Sequence, residues 1–264
     1  MSDFKWRDMY KAYVNLEYRK DRLSHMEQEL SRVGLEMERM EGIRAVERDW
    51  DMDKYGVMVR RTIGACGCHE SQCNIMREGL KRNLDTWVNE DDLVFATDTI
   101  ERLDYIEEFL NKQESWDVVF CGGTVHVNPS WWHKEGHSSD LDMCECTLGR
   151  DAERTGDRRM LRTYGAFSTH SYFLNKNSIE KILKYFDENV HLSMGIDWLF
   201  IKMQPQLKAF MFVPGMVKQM DNQSDIGGGM TVFSGFSKLG LHWWQDKIEQ
   251  FNPDIYDWGE AHKR

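Results

Sequence analysis

The sequence predicts an α/β layered fold with a mainly parallel central sheet, on three observations. Short apolar runs rich in β-branched and aromatic residues alternate with stretches whose apolar residues recur every three or four positions. That alternation is the pattern of strands joined by crossover helices. Apolar types make up 41% of the 264 residues, with no internal repeat, low-complexity tract or Pro/Gly/Ser linker, so a single domain over 1–264 is expected.

The elements follow in order along the chain. Lys11 to Leu16 is a β-rich run, after which Leu23, Met26, Leu30 and Val33 mark one face of a helix that Gly34 is placed to stop. Leu35 to Val46 reads as extended and leads into a charged loop, Glu47 to Lys54. A second helix is expected over Cys68 to Leu84 with Ile75, Met76 and Leu80 inward. Short strands Thr86–Val88 and Leu93–Phe95 flank the triplet Glu90-Asp91-Asp92. Ile100, Leu103, Ile106 and Phe109 form the next helical stripe, and Trp116 to Cys121 is a buried strand closed by Gly122-Gly123. The polar, weakly patterned stretch from Thr124 to Arg162 reads as a long loop, and loops of such length usually carry function. Extended pieces Gly165–Phe167 and Tyr172–Leu174 precede a helix faced by Ile179, Ile182, Leu183 and Phe186. Leu207 to Val213 is the last strand, closed by Pro214-Gly215, and the segment from about 227 to 264 reads as flexible.

Composition narrows the function. Thirty-four Lys+Arg against forty-four Asp+Glu leave a formal charge of −10, which disfavours nucleic acid as a partner because phosphate binding needs a basic footprint. No run of about 18 apolar residues exists for a membrane span. The start, MSDFKWRDMYK, lacks the apolar core of a secretory signal, so a cytoplasmic location is expected. The six cysteines are then expected as reduced thiols. Cys66, Cys68, His69 and Cys73, with Cys144 and Cys146 far downstream, raise zinc as a ligand set. Both close pairs are C-x-C rather than the two-to-four-residue spacing of structural zinc sites, and small buried side chains are the expected role.

The acidic triplet carries the chemistry. Three adjacent carboxylates repel one another unless solvated or neutralised by a cation, and hard ions such as Mg²⁺ or Mn²⁺ prefer oxygen ligands. Taken alone, such a run is more often a solvated turn. Its neighbours add weight. Tyr13-Val-Asn15-Leu-Glu-Tyr-Arg-Lys-Asp-Arg22 resembles the opening of glycosyltransferase family 25, the group of lipooligosaccharide and procollagen galactosyltransferases. Gly64-Ala-Cys-Gly-Cys-His-Glu-Ser71 is similar to its G-x-x-G-C-x-x-S-H stretch, and Glu90 to Leu103 to its E-D-D block and following helix. Trp116–Gly123, Tyr164–Phe167, Phe173-Leu174, Gly195-Ile-Asp197-Trp-Leu, Pro214–Gln219 and Gln223-Ser224-Asp225-Ile226 match later pieces in order. An alternative register would put Ala96-Thr97-Asp98 in the acidic slot, but the residues after Glu90 match without a gap. The chain departs at Gln72, where His is usual, at Asn89, where an apolar residue is common, and in the long 124–162 stretch, which bears on the acceptor side.

The resemblance implies a GT-A type nucleotide-sugar-binding sandwich and a metal-dependent, inverting transfer of a hexose, galactose or glucose. The donor would be a UDP-sugar, the acceptor a hydroxyl on a glycan or glycoconjugate, and the cofactor Mn²⁺ or Mg²⁺. It implies Glu90, Asp91 and Asp92 as metal residues, with Asp92 first. Asn15, Arg22, Ser71, Gln223, Ser224 and Asp225 would lie around the nucleotide. Asp197 would be the catalytic base, or else a helix cap. Arg22 also reads as an ordinary surface arginine, and Ser71 as helix packing. Trp131-Trp132 or Trp243-Trp244 would offer aromatic faces to a sugar, or be buried. His126, His133 and His137 read as solvent-facing. The alternative is a non-catalytic sugar- or protein-binding relative, to which the departures at Gln72 and Asn89 point.

Overall fold

The computed structural model describes residues 3–45, 54–55, 63–122, 124–125, 152–157, 159–167, 169–193, 195–212, 215–220, 222–223, 225 and 230–231. Ser224, the His126, His133 and His137 group, Trp131-Trp132, Cys144, Cys146 and Trp243-Trp244 lie outside the described residues.

The first half runs β1 (Tyr10–Asn15), α1 (Lys20–Val33), β2 (Glu38–Glu41), α2 (Ile63–Arg82), β3 (Thr86–Asn89), β4 (Leu93–Phe95), α3 (Thr99–Asn111) and β5 (Val118–Phe120). The short strands β6 (Thr124–Val125), β7 (Ala152–Arg154), β8 (Met160–Thr163) and β9 (Ala166–Phe167) follow. The chain then forms β10 (Ser171–Leu174), α4 (Lys176–Asn189), α5 (Ile196–Met203), β11 (Ala209–Phe212), β12 (Val217–Gln219), β13 (Asn222–Gln223) and β14 (Met230–Thr231).

Eight strands make one sheet in the order β2-β1-β3-β10-β5-β11-β8-β7. Pairing fixes their senses: β2, β1, β3, β5, β11 and β7 run one way, while β10 and β8 are antiparallel to their neighbours. The central sheet is thus mainly parallel, as expected, with β10 and β8 inserted against the prevailing direction. Smaller antiparallel pairs join β4 to β12, β6 to β9 and β13 to β14.

Central strands are buried on both faces, which is why they read as continuous apolar runs. Successive side chains point to opposite faces and meet different helices. Val118, Phe120, Tyr172 and Leu174 pack with Ile75 and Met76 of α2, Ile182 and Phe186 of α4, and Leu199 and Phe200 of α5. Trp87, Val119, Phe173 and Phe210 pack instead with Met26 and Leu30 of α1 and Leu103, Ile106 and Phe109 of α3. The result is a helix–sheet–helix sandwich. Gly34 takes φ +70° after α1, and its N–H reaches the carbonyls of Leu30 and Ser31, the left-handed stop its position predicts.

Local expectations need correction in four places. α2 begins at Ile63, five residues before Cys68, and Leu80 faces outward at 38% exposure. The Leu35 to Val46 stretch keeps strand geometry only over Glu38–Glu41. The 124–162 stretch contains β6, β7 and the start of β8 and so is not wholly loop. Strand β12, which pairs with β4, went unmarked by the sequence pattern.

The turn after β5 is sterically committed. A Cβ placed on Gly122 would lie 2.3 Å from the Val217 carbonyl oxygen and 2.5 Å from Nε2 of His170. The carbonyl belongs to paired backbone and cannot yield. Gly122→Ala is expected to destabilise the fold by about 1–3 kcal/mol, the usual effect of overpacking. Urea unfolding checks this, and an unchanged midpoint would refute the assigned contact.

Candidate functional site

The carboxylates sit where an open α/β sheet presents its ligand crevice, beyond the carboxyl ends of parallel strands. β1 and β3 are neighbours with Tyr13 opposite Asn89, so two residues further on Asn15 stands across from Asp91. Asn15 Nδ2 donates to Asp91 Oδ2 at 2.7 Å, while Asn15 Oδ1 accepts from Arg39 Nε at 2.9 Å. Arg22, in the first turns of α1, donates from Nη1 to Asp91 Oδ1 at 2.7 Å and lies 3.4 Å from Asp92 Oδ2. Burial pushes the Arg22 guanidinium down, but Asp92 and Asp91 outweigh it and leave its pKa raised. Arg22 is thus no surface arginine: it is 8% exposed and serves the acidic triplet.

Glu90 is treated differently. Gln72 Nε2 donates to its Oε1 at 3.0 Å, Gln219 Nε2 to its Oε2 at 2.7 Å, and the Cys68 thiol lies 3.8 Å from Oε1. Gln219 Nε2 also reaches Asp92 Oδ1 at 3.3 Å, bridging the two carboxylates. Burial, then the charges of Asp92, Asp197 and Asp91, push the Glu90 carboxyl well above its ordinary range, with Arg22 opposing. The backbone is pinned as well: Glu90 N–H donates to His170 O at 2.9 Å and Met220 N–H to Asp92 O at 2.7 Å.

Asp197 lies in the first turn of α5, where the helix dipole favours a carboxylate. It does not cap the helix. Its Oδ1 accepts from both the backbone N–H and the hydroxyl of Thr169, each at 2.7 Å. Asp197 is near enough to Glu90 and Cys68 to raise both pKa values. The structure therefore gathers Asn15, Arg22, Glu90, Asp91, Asp92 and Asp197 in one region.

The Ser71 hydroxyl is occupied by local backbone partners. It accepts from Ile43 N–H at 2.8 Å and donates to Gly67 O at 2.6 Å. Gln223 is placed by its backbone in β13, opposite Met230. Asp225 is exposed, accepts from Tyr18 OH at 2.8 Å, pairs with Arg19 and lies 3.8 Å from Arg22. Asp98, in the alternative acidic slot, pairs with Arg102 at 2.6 Å at the start of α3.

Both departures from the family pattern have structural partners. Asn89 is wholly buried, with Oδ1 accepting from Ser171 Oγ at 2.8 Å and Nδ2 donating to Ala12 O at 3.2 Å. Gln72 holds Glu90. The sequence pattern missed Tyr172, Gln219, Thr169 and Arg39 as members of this network, because each contacts a residue at least 24 positions away. The apolar alternation around Tyr172 marks only a core strand.

Among the described residues, no three His, Cys, Asp or Glu side chains converge on one point where an ion could be held. None of the described helices is long and apolar enough to cross a membrane. The model of glycosyltransferase family 25 (LPS biosynthesis protein) matches residues 9–200. No curated protein matches the chain. The matched stretch covers well over half of the 264 residues and runs from β1 through the first turns of α5, taking in the whole acidic network except Gln219 and Asp225. The chain belongs to glycosyltransferase family 25.

Proposed function

We propose that the protein transfers a hexose, galactose or glucose, from a UDP-sugar to a hydroxyl on a glycan or glycoconjugate, with inversion and with Mn²⁺ or Mg²⁺, on a GT-A type fold. The observation that carries this reading is the charge of the site. Glu90, Asp91, Asp92 and Asp197 lie close enough for three of them to raise the fourth, and Arg22 is the cation the structure sets against them. Excess negative charge at the carboxyl ends of parallel strands suits a divalent ion shared with a diphosphate. Such ions commonly take only one or two protein carboxylates when phosphates complete the shell.

The donor set fits that group. Asp92 and Glu90, bridged by Gln219, are oxygen ligands of the hard-cation type. Asp91, whose two oxygens are taken by Arg22 and Asn15, anchors the loop beneath them. When bound, the ion supplies Lewis-acid stabilisation of the diphosphate as its bond to the sugar breaks. Asp197 takes the proton of the acceptor hydroxyl as that oxygen bonds to the anomeric carbon and UDP departs. Thr169 fixes the Asp197 carboxylate for this through two hydrogen bonds to one oxygen. Gln223, Ser224 and Asp225 would lie on the nucleotide side; what supports this is the contact of Asp225 with Tyr18 and Arg19, just past β1.

A screen of UDP-sugars with Mn²⁺, read by mass spectrometry of the product, tests the reading. With the preferred donor, Asp92→Asn is expected to lower kcat by about 10²–10³-fold, the size of losing one preorganised electrostatic contact. A folded Asp92→Asn enzyme with full activity would defeat the metal assignment, and no turnover with any donor would favour a binding role.

A further inference from the structure

The partners of the triplet divide by charge. Asp91 is neutralised directly by Arg22, whereas Glu90 takes its closest hydrogen bonds from the neutral amides of Gln72 and Gln219. A neutral donor orients a carboxylate without cancelling its charge. Gln72 is 1% exposed and Tyr172 is wholly buried, so neither is placed to meet a substrate. Tyr172 OH lies 2.9 Å from Gln72 Oε1. With the hydroxyl donating there, the Gln72 amide must turn its NH₂ group toward Glu90, the only orientation that does not set oxygen against carboxylate. Tyr172 itself sits in β10, hydrogen-bonded between β3 and β5 at the centre of the sheet.

We propose that Gln72 and Tyr172 are positioning residues, a buried relay from the central sheet that sets the Glu90 carboxylate as a cation ligand. The inference rests on the cation reading given above. The relay runs from Tyr172 in β10, through Gln72 on α2, to Oε1 of Glu90, while Gln219 from β12 fixes Oε2. Orienting partners behind a ligand are what hold it in a productive geometry, and their loss weakens a metal site without touching the ion.

The test titrates Mn²⁺ in the presence of UDP, following free Mn²⁺ by its paramagnetic resonance signal against a UDP-only blank. Wild type is compared with Glu90→Gln, Gln72→Met, Tyr172→Phe, the double variant Gln72→Met/Tyr172→Phe, and Gln72→His. Gln72→Met keeps the volume and removes the amide, and is expected to weaken Mn²⁺ binding by about 10–100-fold. Tyr172→Phe should give a smaller loss, and the double variant should be no worse than Gln72→Met, since both act through one chain. Gln72→His, which can again present an N–H, should recover part of the affinity. Circular dichroism and the unfolding midpoint identify which variants are folded, and Tyr172→Phe, which removes one oxygen atom, remains informative if Gln72→Met does not fold. Glu90→Gln should weaken Mn²⁺ binding; if it does and Gln72→Met binds as wild type does, the relay is wrong, and if Glu90→Gln itself binds normally, Glu90 is no ligand and the relay falls with it. Additive losses in the double variant would also overturn it. If wild type binds no Mn²⁺, the cation reading itself fails and takes the relay with it.

Discussion

Arg22→Met is expected to lower the free energy of unfolding by about 3–5 kcal/mol, the size seen when one partner of a buried ion pair is removed. The reason lies in what remains. Asp91 and Asp92 are only 5% and 2% exposed, and Asp91 would keep a single neutral donor, Asn15. Methionine fills much of the arginine volume, so the loss measures the stranded charges rather than a cavity. Two companions separate this from a packing defect. Arg22→Met/Asp91→Asn should be more stable than Arg22→Met alone, because the second change removes the charge left unpaired. Arg22→Lys should fall between wild type and Arg22→Met: it keeps the charge but loses the planar fork that serves Asp91 and Asp92 together. Urea unfolding at pH 7 gives all three values. A double variant less stable than Arg22→Met would show that Asp91 is not the group Arg22 compensates. Sugar transfer by Arg22→Met should fall with the disordering of the triplet, even where the variant remains folded.

The large elements of the fold were legible because burial writes them into the sequence. β1, β3, β5, β10 and β11 are apolar runs, and the stripes of α1, α3 and α4 recur at helical spacing. What was not legible depends on tertiary contact. The start of α2, Ile63-Gly64-Ala65-Cys66-Gly67, has two glycines and no strong helix signal, yet the helix forms there. Gly67 packs so closely that a Cβ would lie 2.5 Å from the Ile43 carbonyl, so the close approach selects glycine against helix propensity. In the site, the carboxylates stood out because adjacent charges are conspicuous. Their partners did not, since Tyr172 lies 100 residues from Gln72 and Gln219 lies 129 from Glu90. Gln72 is the instructive case: as a letter it is a departure from a motif, while in the structure it is one of the amides that orient Glu90.

Acidification should destabilise the protein well before ordinary carboxylates protonate. His69 and His170 are 1% and 2% exposed, and burial pushes each from 6.5 down to about 4. Glu70 pulls His69 back and the Val217 backbone pulls His170 back, in each case by less than burial lowers it. At pH 7 both rings are neutral in the folded chain and about three-quarters neutral in the unfolded one, so they contribute little to the pH slope there. Between pH 6.5 and 4 the unfolded chain binds protons that the folded one refuses, so stability falls as pH falls. At 1.36 kcal/mol per unit, the loss approaches about 3 kcal/mol for each histidine by pH 4, a large share of a typical domain's stability. Glu90 has the opposite sign. Its raised pKa lets the folded state take a proton before the unfolded one, so above its ordinary value its contribution opposes that loss. Substitution separates the contributions. His69→Gln and His170→Gln should each flatten the dependence of the urea midpoint on pH between 6.5 and 4, whatever their effect at pH 7, and the two together should flatten it most. Glu70, held near 2 mainly by the Tyr55 hydroxyl and Arg77 against the cost of burial and helped by the neighbouring His69, governs a lower window, from 4.5 downward, which His170→Gln should leave unchanged. A wild-type midpoint that stays level from pH 6.5 to 4.5, with both variants equally level, would mean that these two rings are hydrated in solution and not enclosed as the packing shows.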